Sequence, residues 1–213
     1  MEAIVLTTAK DLVVEELREA IYTGQLRAGQ ELIQHEISEQ LGVSRMPVRE
    51  AFLILQSAGL IEVQKNKRAI VKSFSQDNVS EHLEIRTLLE CRAAEKACKR
   101  APNFDELFTV QEKMEHCNEE KEFRILNRDF HFILWSMAKS PKLEDMLKQL
   151  WFSMPSVYPK DFRKNLQRNI KEHAAILKGL QLRDAKKTAK AVAEHINQSK
   201  QMVISRLEED DNI

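Results

Sequence analysis

Three histidines, His131, His173 and His195, fall in three separate helical stretches of this chain, each beside apolar residues at helical spacing. His173 lies in the stripe of Ile170, Ile176, Leu177 and Leu180, and His195 among Ala191, Val192, Ile196 and Met202. His131 stands at the edge of a stripe formed by Leu126, Phe130, Ile133, Leu134 and Met137. Asn127 lies one turn before it, about 40° away around the helix, whereas Asp129 points to the opposite side. Imidazole is a common transition-metal ligand, and three of them with one oxygen donor leave coordination positions open for a small molecule. Each histidine taken singly reads more simply as a hydrogen-bonded core residue; the three together favour a ligand set. Arg86 and Glu90, four apart, share an apolar face with Leu83, Leu89, Ala93 and Ala97, where unpaired charge is expensive. They form either an internal salt bridge or an arginine fork for an effector carboxylate, with Glu90 orienting it.

A second constellation lies near the N-terminus. A short helix, His35 to Leu41, a turn at Gly42-Val43-Ser44, and a helix from Arg45 to Ala58 have helix-turn-helix spacing. Ser44 is expected to cap the second helix, and Pro47 sits in its first turn, where the missing N–H costs nothing. The N-terminal end of such a helix enters the major groove, and here it offers Ser44, Arg45, Met46 and Arg49. Arg45 and Arg49 share a face, while Val48, Phe52 and Leu55 form the inward stripe. Arginine reads guanine O6 and N7 bidentately, and Ser44 is placed to hold a phosphate. Next come two β-prone runs, 60–64 and 69–72, around a charged tip, which read as a small hairpin. Lys65, Lys67 and Arg68 at that tip form a basic wing for the DNA backbone or minor groove.

The elements that must carry these residues follow from composition and punctuation. The chain has 213 residues with only 5 Gly and 5 Pro, which favours helices, and four of the five glycines lie in the first third. The expected fold class is mainly α: a winged helix-turn-helix over residues 1–74, a joint at 75–78, and an all-helical bundle over 79–213. The bundle helices are expected near 77–100, 103–118, 119–139, 141–153, 161–181 and 184–208. Net charge is zero, 33 against 33, and residues 1–74 hold 9 Lys/Arg against 10 Asp/Glu, so the nucleic-acid signal rests on clustering alone. No charge-free stretch approaches the roughly 20 residues that span a bilayer. Charged residues break up the N-terminus, and three scattered cysteines without a CxxC point to core thiols in a reducing cytoplasm.

The run from Val43 to Ala51, Val-Ser-Arg-Met-Pro-Val-Arg-Glu-Ala, with residues 24–32, 37–42, Leu55 and Gly59-Leu60-Ile61, resembles the winged helix-turn-helix of GntR-family bacterial transcription regulators. His35 stands where many relatives have a DNA-contacting arginine, and Arg68 replaces the usual glycine of the wing tip. The helical region is similar to the FadR branch with its FCD domain, a helical bundle around an effector cavity. The residues that carry this likeness are Asn127 to His131, Glu172 to Leu177, and Asp184-Ala185 through His195-Ile196. The resemblance implies Asn127, His131, His173 and His195 as ligands of a divalent transition metal: zinc, with nickel or manganese as alternatives. Asn127 takes the place of the usual aspartate. It further implies a small carboxylate effector at the metal, near Arg86 and Glu90, and a homodimer on double-stranded DNA bearing a palindromic operator, with no membrane partner and no catalysis. Two other readings stay open from the residues alone: a metal-dependent enzyme acting on a carboxylate, and a metal-free regulator whose histidines bond an effector directly.

Overall fold

The structure is a computed structural model that describes residues 8–22, 24–64, 68–73, 75–153 and 162–211. Helix α1 (Ala9–Tyr22) begins at a reciprocal cap: the Thr8 amide donates to Asp11 Oδ2 at 3.1 Å and the Asp11 amide to Thr8 Oγ1 at 3.2 Å. Its Val13, Val14, Leu17 and Ile21 are buried, which makes α1 the floor of the first unit. Strand β1 (Glu31–Ile33) leads into α2 (Gln34–Gln40), α3 (Arg45–Ser57), β2 (Ile61–Val63) and β3 (Arg68–Val71). From α3, Val48, Ala51, Phe52 and Leu55 meet that floor, completed by Leu32, Leu60, Ile61, Ala69 and Val71.

The turn between α2 and α3 follows from one residue. Gly42 takes φ 64, a left-handed conformation open to glycine at no steric cost. Gly42 N–H donates to Glu39 O at 3.3 Å and Val43 N–H to Ser38 O at 3.0 Å, so α2 ends in a paired carbonyl lock and the chain turns sharply into α3. Ser44 occupies the N-cap position with extended backbone, but its side chain makes no capping bond, which corrects the expected cap. Its hydroxyl stays on the exposed surface instead.

The sheet is antiparallel in the order β1-β3-β2, with Leu32 opposite Ala69 and Ile61 opposite Val71. The expected hairpin is therefore the β2–β3 part of a three-stranded sheet. Strand β1 is too short to show alternation, and it is strand only because β3 pairs with it from far along the chain.

The main division of the chain lies between Ser75 and Gln76. Of the joint expected at 75–78, only Ser75 precedes helix α4 (Gln76–Arg100), since Asp77 in the first turn suits a helix N-terminus. Helices α5 (Asp105–His116), α6 (Glu120–Met137), α7 (Pro141–Phe152), α8 (Phe162–Gln181) and α9 (Ala185–Asp211) follow. Helix α4 runs against α9 and α6, while α8 packs on α9 and α5. The interior is filled by Leu83, Leu107, Met114, Phe123, Phe130, Leu134, Trp135 and Leu147. At the α8–α9 turn a Cβ on Gly179 would lie 2.9 Å from the Thr188 backbone, so two helices meet there at a distance that only glycine permits. Cys98 and Cys117 are buried, and the Cys91 thiol donates to Ala189 O at 3.2 Å on α9. No helix among the described residues is long and apolar enough to cross a membrane.

Candidate functional site

Helix α3 turns Val48, Ala51, Phe52 and Leu55 inward, so Arg45, Met46 and Arg49 are exposed on the outer side of its first turns. Pro47 is half-buried there. His35, exposed on α2, stands beside them: its Nδ1 lies 3.3 Å from Arg45 Nη2 and its Nε2 3.4 Å from Glu39 Oε1. Nδ1 accepts from the guanidinium in the tautomer that carries its hydrogen on Nε2, which lies in ion-pair range of Glu39. Arg68 comes from β3 and gives Nη1 to both Glu31 oxygens on β1, at 3.0 and 3.1 Å, a diagonal pair across the sheet. His35, Arg45, Met46, Arg49 and Arg68 line one shallow concavity together with Ile33 and Gln34. Gln34 and Glu31 escaped the sequence reading, since neither belongs to a pattern until β1 is paired. Lys65 and Lys67 lie outside the described residues.

In the helical unit, His131 from α6, His173 from α8 and His195 from α9 bring one ring nitrogen each within 4.8 Å of the others, all three side chains buried. His131 Nε2 and His195 Nε2 are 3.2 Å apart. Behind them, His131 Nδ1 lies 2.9 Å from Glu90 Oε2 and His195 Nδ1 2.7 Å from Glu172 Oε2. A carboxylate only accepts, so each Nδ1 carries the hydrogen, and with both rings neutral each presents its Nε2 lone pair to the other. Two lone pairs at that distance repel unless a proton or a cation lies between them. Burial, only partly offset by Glu90, pulls His131 down to about 4, which disfavours a proton on His131 itself. The spacing also suits adjacent donors on one ion, each about 2.0–2.1 Å from it.

Of the remaining expected ligands, His173 belongs to this cluster. Burial, with the neighbouring His195 and His131, holds His173 well below its ordinary value. Both its ring nitrogens lack a hydrogen-bond partner among the described residues, and the ring stacks on Phe130 with centroids 3.9 Å apart. Asn127, one turn before His131, is buried with Oδ1 also unpartnered. A neutral imidazole and an amide oxygen left unsatisfied inside a protein are costly, and a cation relieves both.

Glu90 is fully buried; burial raises its carboxyl, but the Arg86 guanidinium and His131 against it win and hold it below the usual carboxylate range. Trp135 Nε1 donates to the same oxygen at 3.2 Å. Arg86 gives Nε to Glu90, and its guanidinium lies 4.3 Å over the Trp151 ring. The salt bridge of the two readings is present, and it leaves the terminal nitrogens of Arg86 without a hydrogen bond among the described residues. Trp151 and Glu172 were not expected in the site. Glu172 was legible as the carboxylate four residues after Arg168 and adjacent to His173.

The family described as bacterial regulatory proteins, gntR family, matches residues 9–71, and the FCD domain matches residues 81–198. The Uxu operon regulator of Haemophilus influenzae is 30% identical over 210 residues, covering 86% of this chain and 77% of the relative. The transcriptional regulator McbR of Escherichia coli is 28% identical over 196 residues, covering 88% of this chain and 89% of its own. The solved structure of E. coli McbR/YncC superposes with TM-score 0.80 over 95% of this chain and all of that one, at 24% identity, a likeness of fold.

Proposed function

The chain belongs to the GntR family of bacterial regulatory proteins and carries its FCD domain, and from that premise we propose how a DNA-binding transcription regulator of this kind reads its operator and its effector. Helix α3 enters the major groove by its N-terminal end. Arg45 and Arg49 read guanine edges there, and Met46, 57% exposed, supplies apolar contact for a thymine methyl. Ser44 and His35 hold phosphates, and Pro47 fixes the start of the helix. Arg68, with Lys65 and Lys67, contacts the adjoining backbone. A homodimer on a palindrome then sets the half-site spacing.

The helical unit senses a small carboxylate. Asn127, His131, His173 and His195 hold a divalent transition metal, zinc first among the candidates. When bound, the ion supplies a Lewis-acid site for one carboxylate oxygen. The terminal nitrogens of Arg86 take the carboxylate from the other side, while Glu90 keeps the guanidinium in place. The observation that carries the metal reading is the pair of facing Nε2 atoms at 3.2 Å, each with a carboxylate behind it. An effector that prefers one arrangement of the two DNA-binding units over another shifts operator affinity, typically by about 5–150-fold.

The test is operator binding by untagged protein, stripped of metal or loaded with zinc, against a panel of small carboxylates. Metal-dependent release by one member of the panel supports the reading. An effector response that survives complete metal removal favours the metal-free alternative.

A further inference from the structure

Two of the three facing histidines are backed by a carboxylate, and each carboxylate is backed by an arginine one turn earlier in its own helix. In α4 Arg86 precedes Glu90; in α8 Arg168 precedes Glu172, with Arg168 Nε 3.4 Å from Glu172 Oε1. We propose that Glu172 and Arg168 are positioning residues of the metal centre, a second Arg–Glu–His relay that fixes His195 as Arg86 and Glu90 fix His131. The proposal rests on the metal reading of the histidines.

The two relays have the same polarity. In each, a glutamate oxygen takes the Nδ1 hydrogen, at 2.9 Å for His131 and 2.7 Å for His195, which leaves Nε2 for the centre. A carboxylate in that place sets the tautomer, locks the ring plane and makes the imidazole a stronger donor to a cation. His173 has no such partner among the described residues; its ring stacks on Phe130 and packs against the rings of His131 and His195.

The surroundings of the two arginines differ, and the difference marks Arg168 as internal to the centre rather than a contact for effector. Arg168 Nη2 donates to Asn165 Oδ1 at 2.7 Å, and Nη1 lies 3.4 Å from Met202 Sδ on α9. Asn165 Oδ1 also accepts from Asn169 Nδ2 at 3.0 Å, and both asparagines are buried. The guanidinium is thus engaged on both terminal nitrogens, while its Nε lies in ion-pair range of Glu172 without a hydrogen bond to it among the described residues. This explains why α8 carries three buried or half-buried polar residues, Asn165, Arg168 and Asn169, on the turns that precede Glu172.

The test uses the full chain, untagged, with zinc titrated against a chromophoric chelator and cobalt(II) absorption as a second readout. Glu172→Gln keeps the shape and removes the charge; its zinc affinity is expected to fall by about 10–100-fold, with an altered cobalt band. Arg168→Gln is expected to fall in the same direction by less, and it decides the matter should Glu172→Gln lose its helical circular dichroism. A pair that only braces the fold would instead lower the melting temperature of metal-free protein and leave zinc affinity within about twofold; that result overturns the relay. Failure of the unaltered chain to bind zinc, nickel or cobalt removes the metal reading itself, an outcome separate from the first.

Discussion

Arg49 makes no ion pair among the described residues, although it projects from α3 into a concavity shared with Arg45 and Arg68. A guanidinium left unneutralised beside two others on an exposed face is free to meet an acceptor, as the proposed readout requires. Arg49→Ala is expected to cost about 1–3 kcal/mol of operator affinity and to spare non-specific binding, measured by fluorescence anisotropy on operator and scrambled duplexes. An equal loss on both duplexes would make Arg49 a phosphate contact instead. At the histidines, burial depresses His131 to about 4 and holds His173 well below its ordinary value, while both return to about 6.5 on unfolding. The unfolded chain therefore binds more protons at mildly acid pH, so the stability these rings contribute is fully present above about pH 6.5 and is lost as pH falls toward 4. For His131 alone the loss by pH 4 is about 3 kcal/mol. Thermal unfolding of metal-free protein between pH 7.5 and 4.5 checks this, and a flat profile would show that the rings are hydrated.

Between α8 and α9 a single missing methyl group sets the approach of two helices. Ala is the better helix former by about 1 kcal/mol, so Gly179→Ala in an open helix stabilises. Here the added Cβ meets Thr188 Oγ1 at 2.7 Å and its backbone at 2.9 Å, and Thr188 is fully buried. We expect a net destabilisation of about 1–3 kcal/mol by overpacking, together with weaker zinc binding, since α8 carries His173 and α9 His195; denaturant unfolding and zinc titration read the two effects. The same element scale marks what the sequence could convey. Apolar periodicity placed all six bundle helices and the inward phase of His173 and His195, because each helix buries one stripe. Asn127 and His131, read at the edge of their stripe, are buried, since α4 covers that edge with Glu90 and its neighbours. Strand β1 and the pairing of each carboxylate with its histidine were not legible in that way, although helical spacing places Glu90 itself on the apolar face of its helix. The Glu172 and His195 contact spans 23 residues and the Glu90 and His131 contact 41, so only tertiary packing creates them.

At the scale of the whole molecule, two units with different chemistry share one chain: residues 9–71 match the gntR family and residues 81–198 the FCD domain. The net charge of zero conceals the arginine patch of the first unit, whose signal is local clustering rather than overall charge. A regulator of this design reads sequence through few groups, and specific sites are expected to bind about 10³–10⁷ times more tightly than bulk DNA. The most direct measurement is selection of genomic fragments by the purified, untagged protein followed by footprinting, with Arg45→Ala and Arg49→Ala run in parallel. Enrichment of a short palindrome near a promoter, protected over both half-sites and lost in the two variants, is the expected result. Fragments bound without sequence preference, or a protected site indifferent to both arginines, would contradict recognition by α3.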